Sequence, residues 1–412
     1  MSNHQFTDIR VAISPNNPSI QRLEFKCIKC GACKTVCTND IGVCGTYDLA
    51  KTGDNPICIH CGQCANVCPV DSITEKFEVY QVAEEIRNPE KIVIVSTSPS
   101  VRIALGEEFG MPDGSFVQGK MVALLRKLGV DYVLDTNFSA DLTIMEEASE
   151  LIERIVKGNK PLPQFTSCCP AWVKFMETYY PEMKENVSSA KSPIGMQGPT
   201  IKTYFAKKMG IDPTKIVNVA LTPCTAKKFE IRRDEMNAAS KYLGIEGLQV
   251  KVAVVYGTAN ARKLIEKIKA GEADYHFVEV MTCPGGCIGG GGQPKDKEYK
   301  GEALREKRIE GLYKRDDAMQ LRLSHENPQI KKLYEEFYGE PLSELAEQML
   351  HTMYFDRSAA LGEGYVAPQA EEKPATKQFR CKVCGYIYEG EALPEKYVCP
   401  LCKRPASFFE EV

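Results

Sequence analysis

The spacing of cysteines constrains this 412-residue chain more than any other feature, because 18 residues are cysteine and most fall into Cys-x-x-Cys groups. Neighbouring thiols in such groups are well placed to converge on one metal and poorly placed to bridge to distant partners. Disulfide scaffolds are typically short secreted chains. The pattern therefore predicts metal sites in a reducing compartment, in an N-terminal block (Cys27 to Cys68), a middle set (Cys168 to Cys287) and a C-terminal block (Cys381 to Cys402).

Composition and charge exclude several other classes of protein. Hydrophobic residues make up 43% and charged residues 26%, as in soluble chains with two or three domains. The net charge of −3 provides no basic field for nucleic acid. The apolar run 92–95 is too short to cross a bilayer, and the first residues carry no export signal. We expect a cytoplasmic protein without nucleic-acid or membrane partners.

The region between the cysteine blocks alternates strand and helix patterns. Runs rich in β-branched residues predict strands at 91–96, 215–221 and 250–256. Apolar residues at helical spacing predict helices at 118–129, 141–157, 259–270 and 341–353. The alternation predicts an α/β domain with mainly parallel sheets and flanking helices.

The N-terminal block contains a duplicated run of four cysteines, Cys27-x-x-Cys30-x-x-Cys33-x-x-x-Cys37 and Cys58-x-x-Cys61-x-x-Cys64-x-x-x-Cys68. The runs resemble those of bacterial two-cluster ferredoxins, in which the last cysteine of each run ligates the other cluster. The resemblance implies electron transfer through two [4Fe-4S] clusters, one on Cys27, Cys30, Cys33 and Cys68, the other on Cys58, Cys61, Cys64 and Cys37. A pair of zinc ribbons, the alternative, usually has two cysteine pairs and a spacer. Cys44 lies outside both runs, and we expect a spare buried thiol.

The C-terminal block forms two Cys-x-x-Cys knuckles, Cys381 with Cys384 and Cys399 with Cys402. A tetrathiolate site suits a single iron or zinc ion. Gly385 and the aromatic residues around the knuckles resemble a rubredoxin of the compact rubrerythrin type, which implies iron and leaves zinc as the alternative; the aromatic residues are Tyr386, Tyr388, Phe408 and Phe409.

The middle cysteines lie in three separate segments, which are Phe165-Thr-Ser-Cys168-Cys169-Pro-Ala-Trp172, Leu221-Thr-Pro-Cys224-Thr-Ala-Lys227-Lys-Phe-Glu230 and Glu279-Val-Met281-Thr-Cys283-Pro-Gly-Gly-Cys287 with the glycines and Gln293-Pro294 that follow. Four of these thiols are able to hold one further [4Fe-4S] cluster. The glycine runs let the backbone approach a bulky cofactor. Because adjacent thiols do not readily serve one cluster, either Cys168 or Cys169 is left for another task. The alternative is a purely structural cluster.

These segments resemble the three signature motifs of the iron-only ([FeFe]) hydrogenases, and the resemblance spans residues 26–355. It implies an H-cluster, a [4Fe-4S] cube linked to a diiron subcluster that carries CO, CN and azadithiolate. Cys287 would bridge to the diiron unit, Lys227 and Ser100, after Pro99, would contact its cyanides, and Met281 would pack beside it. The cube would be held by Cys169, Cys224, Cys283 and Cys287.

The same resemblance implies a path for protons. It begins at Cys168, which faces the amine of the dithiolate, and continues through Glu147, Ser188 and Glu150, with Arg154 near the exit. Glu147 and Glu150 are three positions apart in a predicted helix and therefore share a face. A solvated helix surface is the alternative for two such glutamates.

The chain also departs from the family pattern. Cys224 and Cys283 are only 59 positions apart, which implies a shortened hydrogenase domain without the loop that covers the distal iron. Thr222 stands where the family has methionine, and Ser98, Ala171 and Ile194 are further replacements. The shortened domain is expected either to close its pocket by other means, such as self-association into a homo-oligomer, or to leave the site more exposed.

We therefore expect a ferredoxin-like domain at 1–76, a hydrogenase domain at 77–357, a linker at 358–378 and a rubredoxin-like domain at 379–412. The expected activity is reversible reduction of two protons to H2, with a small redox protein such as ferredoxin as electron carrier and with maturation proteins to build the diiron unit. A hydrogen sensor and a non-catalytic iron–sulfur carrier are the alternatives. Sensor relatives often lack the relay cysteine, and carriers lack the diiron unit.

Overall fold

The fold is described from a computed structural model, which covers residues 9–233, 251–296, 300–362, 365, 377–381, 387–390, 392–394 and 405–411. The predicted ligands Cys384, Cys399 and Cys402 lie outside these residues. Among the helices of the described part of the chain, none has the length and apolar character to cross a membrane.

The described chain contains eleven strands and thirteen α-helices. The strands are β1 (Ile20–Arg22), β2 (Ile73–Glu75), β3 (Ile92–Thr97), β4 (Tyr132–Asp135), β5 (Gln164–Phe165), β6 (Ile216–Leu221), β7 (Val252–Tyr256), β8 (Phe277–Met281), β9 (Lys377–Cys381), β10 (Ile387–Gly390) and β11 (Phe409–Glu411). The helices are α1 (Ala32–Asn39), α2 (Gln63–Asn66), α3 (Val79–Arg87), α4 (Gln118–Lys127), α5 (Thr136–Lys157), α6 (Pro170–Tyr179), α7 (Pro193–Thr200), α8 (Ala206–Met209), α9 (Lys227–Glu230), α10 (Thr258–Lys269), α11 (Glu302–Asp317), α12 (Pro328–Leu333) and α13 (Glu344–Leu350).

Two parallel three-stranded sheets form the middle of the molecule, and this confirms the predicted α/β class. Their strand orders are β4-β3-β6 and β5-β8-β7. Parallel strands need crossover connections, which helices such as α4 and α10 supply. The predicted strands and helices of this region are all present, with ends displaced by a few residues. Parallel strands of one sheet end at a common edge, so the loop after β6 in the first sheet and the loop after β8 in the second are each available for a site.

The N-terminal region folds as a duplicated unit around its cysteine runs. Strands β1 and β2 pair antiparallel. Helices α1 and α2 each begin after a left-handed glycine inside a cysteine run, Gly31 with φ +82° and Gly62 with φ +73°. A left-handed backbone favours glycine, so the repeated Cys-Gly-x-Cys sequence dictates the same turn twice. Further along, β9 pairs antiparallel with both β10 and β11.

The largest apolar core lies between the second parallel sheet and helix α6. Trp172, Phe175 and Met176 of α6 are completely buried in it. Val278 and Val280 of β8 pack in the same core. The core also includes Ile41, Val43 and Ile59 from the N-terminal region. The N-terminal region and the parallel sheets therefore share one continuous interior.

Candidate active site

Four cysteines of the N-terminal block, Cys37, Cys58, Cys61 and Cys64, line one cavity together with apolar side chains such as Ile13 and Ile41. We call them the second cysteine group. Burial, together with the charge of Cys58, raises the pKa of Cys61 to about 12. Four thiols around one apolar cavity fit the corners of a [4Fe-4S] cube, whose positive irons favour the thiolate form.

The other predicted ligands of the N-terminal block lie nearer the surface. Cys33 and Cys68 pack in the same small core as Cys64, and the amide of Ile73 donates to the sulfur of Cys68 at 3.4 Å. Cys27 is half-buried and Cys30 is exposed. Cys44, expected to be buried, is half-buried, and its backbone amide donates to Cys37.

The middle cysteines are brought together by three different elements. Cys169 is the N-terminal cap of α6, Cys224 follows β6, and Cys283 and Cys287 follow β8. Burial raises the pKa of Cys283 well above its usual value, and the charges of Cys224, Cys169, Cys61 and Cys287 add to the effect. The four thiols from three segments therefore lie within electrostatic range of one another, as the ligands of one cluster must. In the described ranges, no three His, Cys, Asp or Glu side chains are close enough to hold a single metal ion.

The glycine-rich loop after Cys287 packs against two other backbones. A Cβ on Gly290 would lie 2.7 Å from the carbonyl oxygen of Pro223, and one on Gly291 would lie 2.7 Å from the Cα of Gly62. The amide of Gln63 donates to the carbonyl of Gly289 at 2.8 Å. Glycine is required here because side chains would separate the loop from the second cysteine group.

Lys227 is buried beside Cys168. Its ammonium donates to the backbone carbonyl of Cys168 at 3.1 Å and to both carboxylate oxygens of Glu230 at 2.8 and 3.0 Å. Burial lowers the pKa of Lys227, but the charges of Glu230 and Cys224 and the hydrogen bonds to Glu230 together outweigh it, so the net shift is upward. Burial raises the pKa of the Cys168 thiol, and the charge of Glu147 raises it further. The site thus pairs a fixed cation with a thiol that holds its proton.

The two glutamates of helix α5 are both buried, which excludes the solvated-surface alternative. Burial raises the pKa of Glu147 to about 8, and the charge of Glu150 contributes. The Ser188 hydroxyl lies next to Glu147 and donates to Glu150 at 2.7 Å. Burial alone would raise the pKa of Glu150, but the charges of Lys160 and Arg154 lower it to about 2. Near neutral pH, a protonated and an ionised carboxyl group therefore flank one hydroxyl.

Arg154 lies deeper than the predicted exit position. Its side chain is fully buried, and it donates to Glu150 at 2.8 Å and to the carbonyls of Glu185 and Val187. Lys160, whose side chain is 36% exposed, donates to the same carboxylate at 2.9 Å. Lys160 is therefore the partner of Glu150 that lies nearer the solvent, and sequence reasoning missed it.

The remaining predicted residues border the same region. Pro99 and Ser100 form a short 3-10 turn, and the carbonyl of Ser100 accepts a 2.8 Å hydrogen bond from Gln293. Gln293 also reaches the carbonyl of Cys287 at 3.4 Å. Met281 is the last residue of β8, two positions before Cys283. Cys287 itself is exposed.

Sequence reasoning also missed Glu230, whose signal was available. It stands three positions after Lys227 on one face of α9, the spacing at which helical side chains pair. The Ser192 hydroxyl donates to it at 2.9 Å.

Family models match most of the chain. The model described as the C-terminal domain of the iron-only hydrogenase large subunit matches residues 91–244 and 237–291, and the iron hydrogenase small subunit model matches 302–357. A 4Fe-4S binding domain model matches 54–74. The rubredoxin-like domain of rubrerythrin matches 379–410.

The chain is also similar in sequence to individual curated proteins. The NADP-reducing hydrogenase subunit HndD of Solidesulfovibrio fructosivorans is 38% identical, over 82% of this chain and 75% of its own length. Iron hydrogenase 1 of Clostridium pasteurianum is 35% identical, over 80% and 74% of the two chains. The zebrafish cytosolic Fe-S cluster assembly factor narfl is 25% identical, over 68% of this chain and 90% of its own.

The fold is also shared with solved structures. A variant of the [FeFe]-hydrogenase HydA1 from Chlamydomonas reinhardtii aligns with a TM-score of 0.61 and 31% identity, over 68% of this chain and 98% of that one. These similarities agree with the three cysteine-bearing segments and with the parallel sheets that carry them. This chain belongs to the [FeFe] (iron-only) hydrogenase family.

Proposed function

We propose that this iron hydrogenase reversibly combines two protons and two electrons into H2 at an H-cluster whose cube is held by Cys169, Cys224, Cys283 and Cys287. The observation that carries the proposal is the convergence of these four thiols beside Cys168 and Lys227. When bound, the diiron subcluster supplies an open iron and a pendant amine base for heterolytic chemistry on hydrogen. Lys227 supplies a fixed positive charge for the cyanides, and Ser100, Pro99 and Met281 shape their surroundings.

Protons enter and leave along Cys168, Glu147, Ser188 and Glu150. Cys168 holds a proton at neutral pH, and Glu147 is the neighbouring acid whose pKa of about 8 is suited to exchange near that pH. The Ser188 hydroxyl is able to accept from one carboxyl group while it donates to the other. Lys160 and Arg154 keep Glu150 ionised, so Glu150 at the outer end carries a proton only transiently.

Electrons travel through the N-terminal clusters. The second cysteine group adjoins the proposed H-cluster cube, since the charge of Cys169 raises the pKa of Cys61. The first group (Cys27, Cys30, Cys33 and Cys68) includes the exposed Cys30 and faces a small redox carrier such as ferredoxin. The rubredoxin-like region, on its linker 358–378, is a second port with iron or zinc at Cys381, Cys384, Cys399 and Cys402.

The domain boundaries are proposed as expected from the sequence, at 1–76, 77–357, 358–378 and 379–412. At the ends of the expected linker, Ser358–Leu361 form a 3-10 turn whose Leu361 packs in the largest core, and β9 already begins at Lys377. Maturation proteins are proposed as partners, because the diiron unit of an H-cluster has to be assembled and inserted. A sensor is the second candidate function, and the half-buried Cys168 beside Glu147 favours turnover over sensing. An assembly-factor role, taken from the narfl similarity, is the third candidate, and the presence of Cys168 next to Glu147 at the cysteine site argues against it.

Infrared spectroscopy of anaerobically matured protein, followed by hydrogen evolution from reduced methyl viologen, tests the proposal. Carbonyl and cyanide bands together with turnover are the expected result. Bands without turnover would favour the sensor, and protein that binds only [4Fe-4S] clusters would favour the carrier.

A further inference from the structure

A chain of side chains connects helix α6 to the second cysteine group. The ammonium nitrogen of Lys174 lies 2.7 Å from Nε2 of His60. Nδ1 of the same ring lies 3.2 Å from Oδ1 of Asn17. The amide nitrogen of Asn17 donates to the sulfur of Cys58 at 3.4 Å. Three hydrogen bonds therefore connect Lys174 of helix α6 to Cys58, a proposed cluster ligand.

The hydrogen bonds of this series all donate in the direction from Lys174 to Cys58. An ammonium group has hydrogen-bond donors and no acceptor, so Nε2 of His60 accepts and the ring hydrogen lies on Nδ1. Nδ1 then donates to the Asn17 carbonyl oxygen, whose orientation is fixed independently because it also accepts from the amide of Ser19 at 2.9 Å. The amide group of Asn17 is thereby turned toward Cys58. Every bond polarises the next toward the sulfur.

This series of hydrogen bonds lies in a poorly solvated part of the protein, where the electrostatic effect of a charge is strong. His60 is 5% exposed and stacks on Phe229 with 4.7 Å between ring centroids. The Lys174 ammonium lies 4.4 Å from the centroid of the same Phe229 ring. Burial lowers the pKa of Lys174 to about 8, which leaves the group mostly protonated at pH 7.

The nearest acidic residue along helix α6 is engaged elsewhere. Glu177 accepts from Arg233 at 2.7 Å with one carboxylate oxygen and from Arg357 at 2.7 Å with the other. Its negative charge is therefore balanced by two guanidinium groups. Lys174 consequently retains a positive charge that is directed along the chain to Cys58.

We propose that Lys174 is a positioning residue that raises the reduction potential of the cluster at the second cysteine group, acting through His60 and Asn17 on the sulfur of Cys58. The inference rests on the proposed function, since it assumes a [4Fe-4S] cluster there. Reduction adds one negative charge to a cluster, and hydrogen bonds or cations at its sulfurs stabilise the reduced form. Electrons are thereby collected next to the proposed H-cluster cube, whose ligand Cys169 caps the helix that carries Lys174.

The test is a redox titration of the N-terminal clusters, followed by electron paramagnetic resonance, in the full chain loaded with [4Fe-4S] clusters. Lys174→Met is expected to lower the reduction equilibrium constant of the cluster at the second cysteine group about tenfold, which lowers its midpoint potential by about 59 mV for one electron. The midpoint potential of the other N-terminal cluster should not change. Lys174→Arg retains the positive charge, so its midpoint potential should stay close to that of the unmodified protein. Lys191→Met is the matched control, because this buried lysine donates to the carbonyl of Met349 instead.

A second variant tests the route. His60→Leu should lower the same midpoint potential. In the double variant with Lys174→Met, the reduction equilibrium constant should change by less than a further factor of two. Unchanged midpoints in Lys174→Met, an equal shift in Lys191→Met, or full additivity with His60→Leu would each overturn the inference. Because the titration needs no hydrogen turnover, a shifted midpoint in an inactive protein would support the role of Lys174 and contradict the proposed function separately.

Discussion

Ser188 donates a 2.7 Å hydrogen bond to Glu150, a residue 38 positions earlier in the chain, and the same hydroxyl lies next to Glu147. Burial raises the pKa of Glu147 to about 8, whereas Lys160 and Arg154 overcome burial and lower the pKa of Glu150 to about 2. Environments that push two pKa values apart are typical of acid–base sites. The two carboxyl groups therefore differ in protonation although they lie on one helix.

The pKa of Glu147 predicts a pH dependence of hydrogen evolution. Below about pH 8 Glu147 holds a proton that it is able to pass inward, and above that pH it is ionised. The rate at a constant overpotential on a film electrode should therefore fall as the pH rises through 8. Glu147→Gln should lower the rate roughly 100-fold or more at all pH values, because an amide cannot relay a proton. A rate that is flat across pH 8 would contradict the assignment.

Glu150 should matter for stability as well as for proton transfer. Glu150→Gln leaves the buried Arg154 without its carboxylate, and breaking a buried pair in this way costs about 3–5 kcal/mol of the free energy of unfolding. Since the pKa of Glu150 is lowered by folding, its contribution is present above its ordinary pKa and is lost as the pH falls toward 2. Anaerobic denaturant unfolding at pH 7 and at lower pH measures both effects. Glu182→Gln, at an exposed ion pair with Lys269, is the control and should change stability by less than about 1 kcal/mol.

The sequence predicted the main elements of the fold because strand and helix patterns are local. Helix α5 begins five residues before the predicted start of 141, since the carboxylate of Asp135 caps the amide of Asn137. Helix α13 begins at Glu344 and not at 341, since the hydroxyl of Ser343 caps it.

Other contacts that complete the site were not predictable, because they join different elements of the fold. Lys160 reaches Glu150 from the loop after α5, and Lys174 reaches His60 across 114 positions. Cysteine spacing reveals which thiols belong together, but it does not reveal the charged side chains that set their surroundings. Those partners depend on packing between separate elements.

Cys168→Ala should remove most hydrogen turnover and leave the iron content unchanged, because the proposed relay is lost and no ligand is. Cys44→Ala is the matched control, since Cys44 is also half-buried and lies outside both cysteine runs. Iron analysis and turnover with reduced methyl viologen are the measurements. An equal loss of iron and activity in Cys168→Ala would mean that Cys168 and Cys169 have been assigned in the wrong order.

Removal of residues 370–412 should preserve hydrogen evolution from a reduced dye. The dye delivers electrons directly to the N-terminal clusters, so the rubredoxin-like region is not needed in that assay. The N-terminal and middle cysteines and the elements that carry them all lie before residue 362, in the part of the chain that remains. An inactive truncation with an unchanged dye affinity would show that the region has a structural role.

Gly291→Ala should weaken the contact between the glycine-rich loop and the second cysteine group. The added Cβ would lie 2.7 Å from the Cα of Gly62, so one of the two backbones must move. Overpacking of this kind costs about 1–3 kcal/mol, and the displacement should also slow electron transfer between the second cysteine group and the proposed H-cluster cube. Gly119→Ala, inside helix α4 with nothing within 4 Å, is the control and should stabilise the fold by about 0.5–1 kcal/mol. Thermal unfolding and rapid-mixing reduction kinetics measure the two effects, and equal behaviour of the variants would refute the role of this close approach.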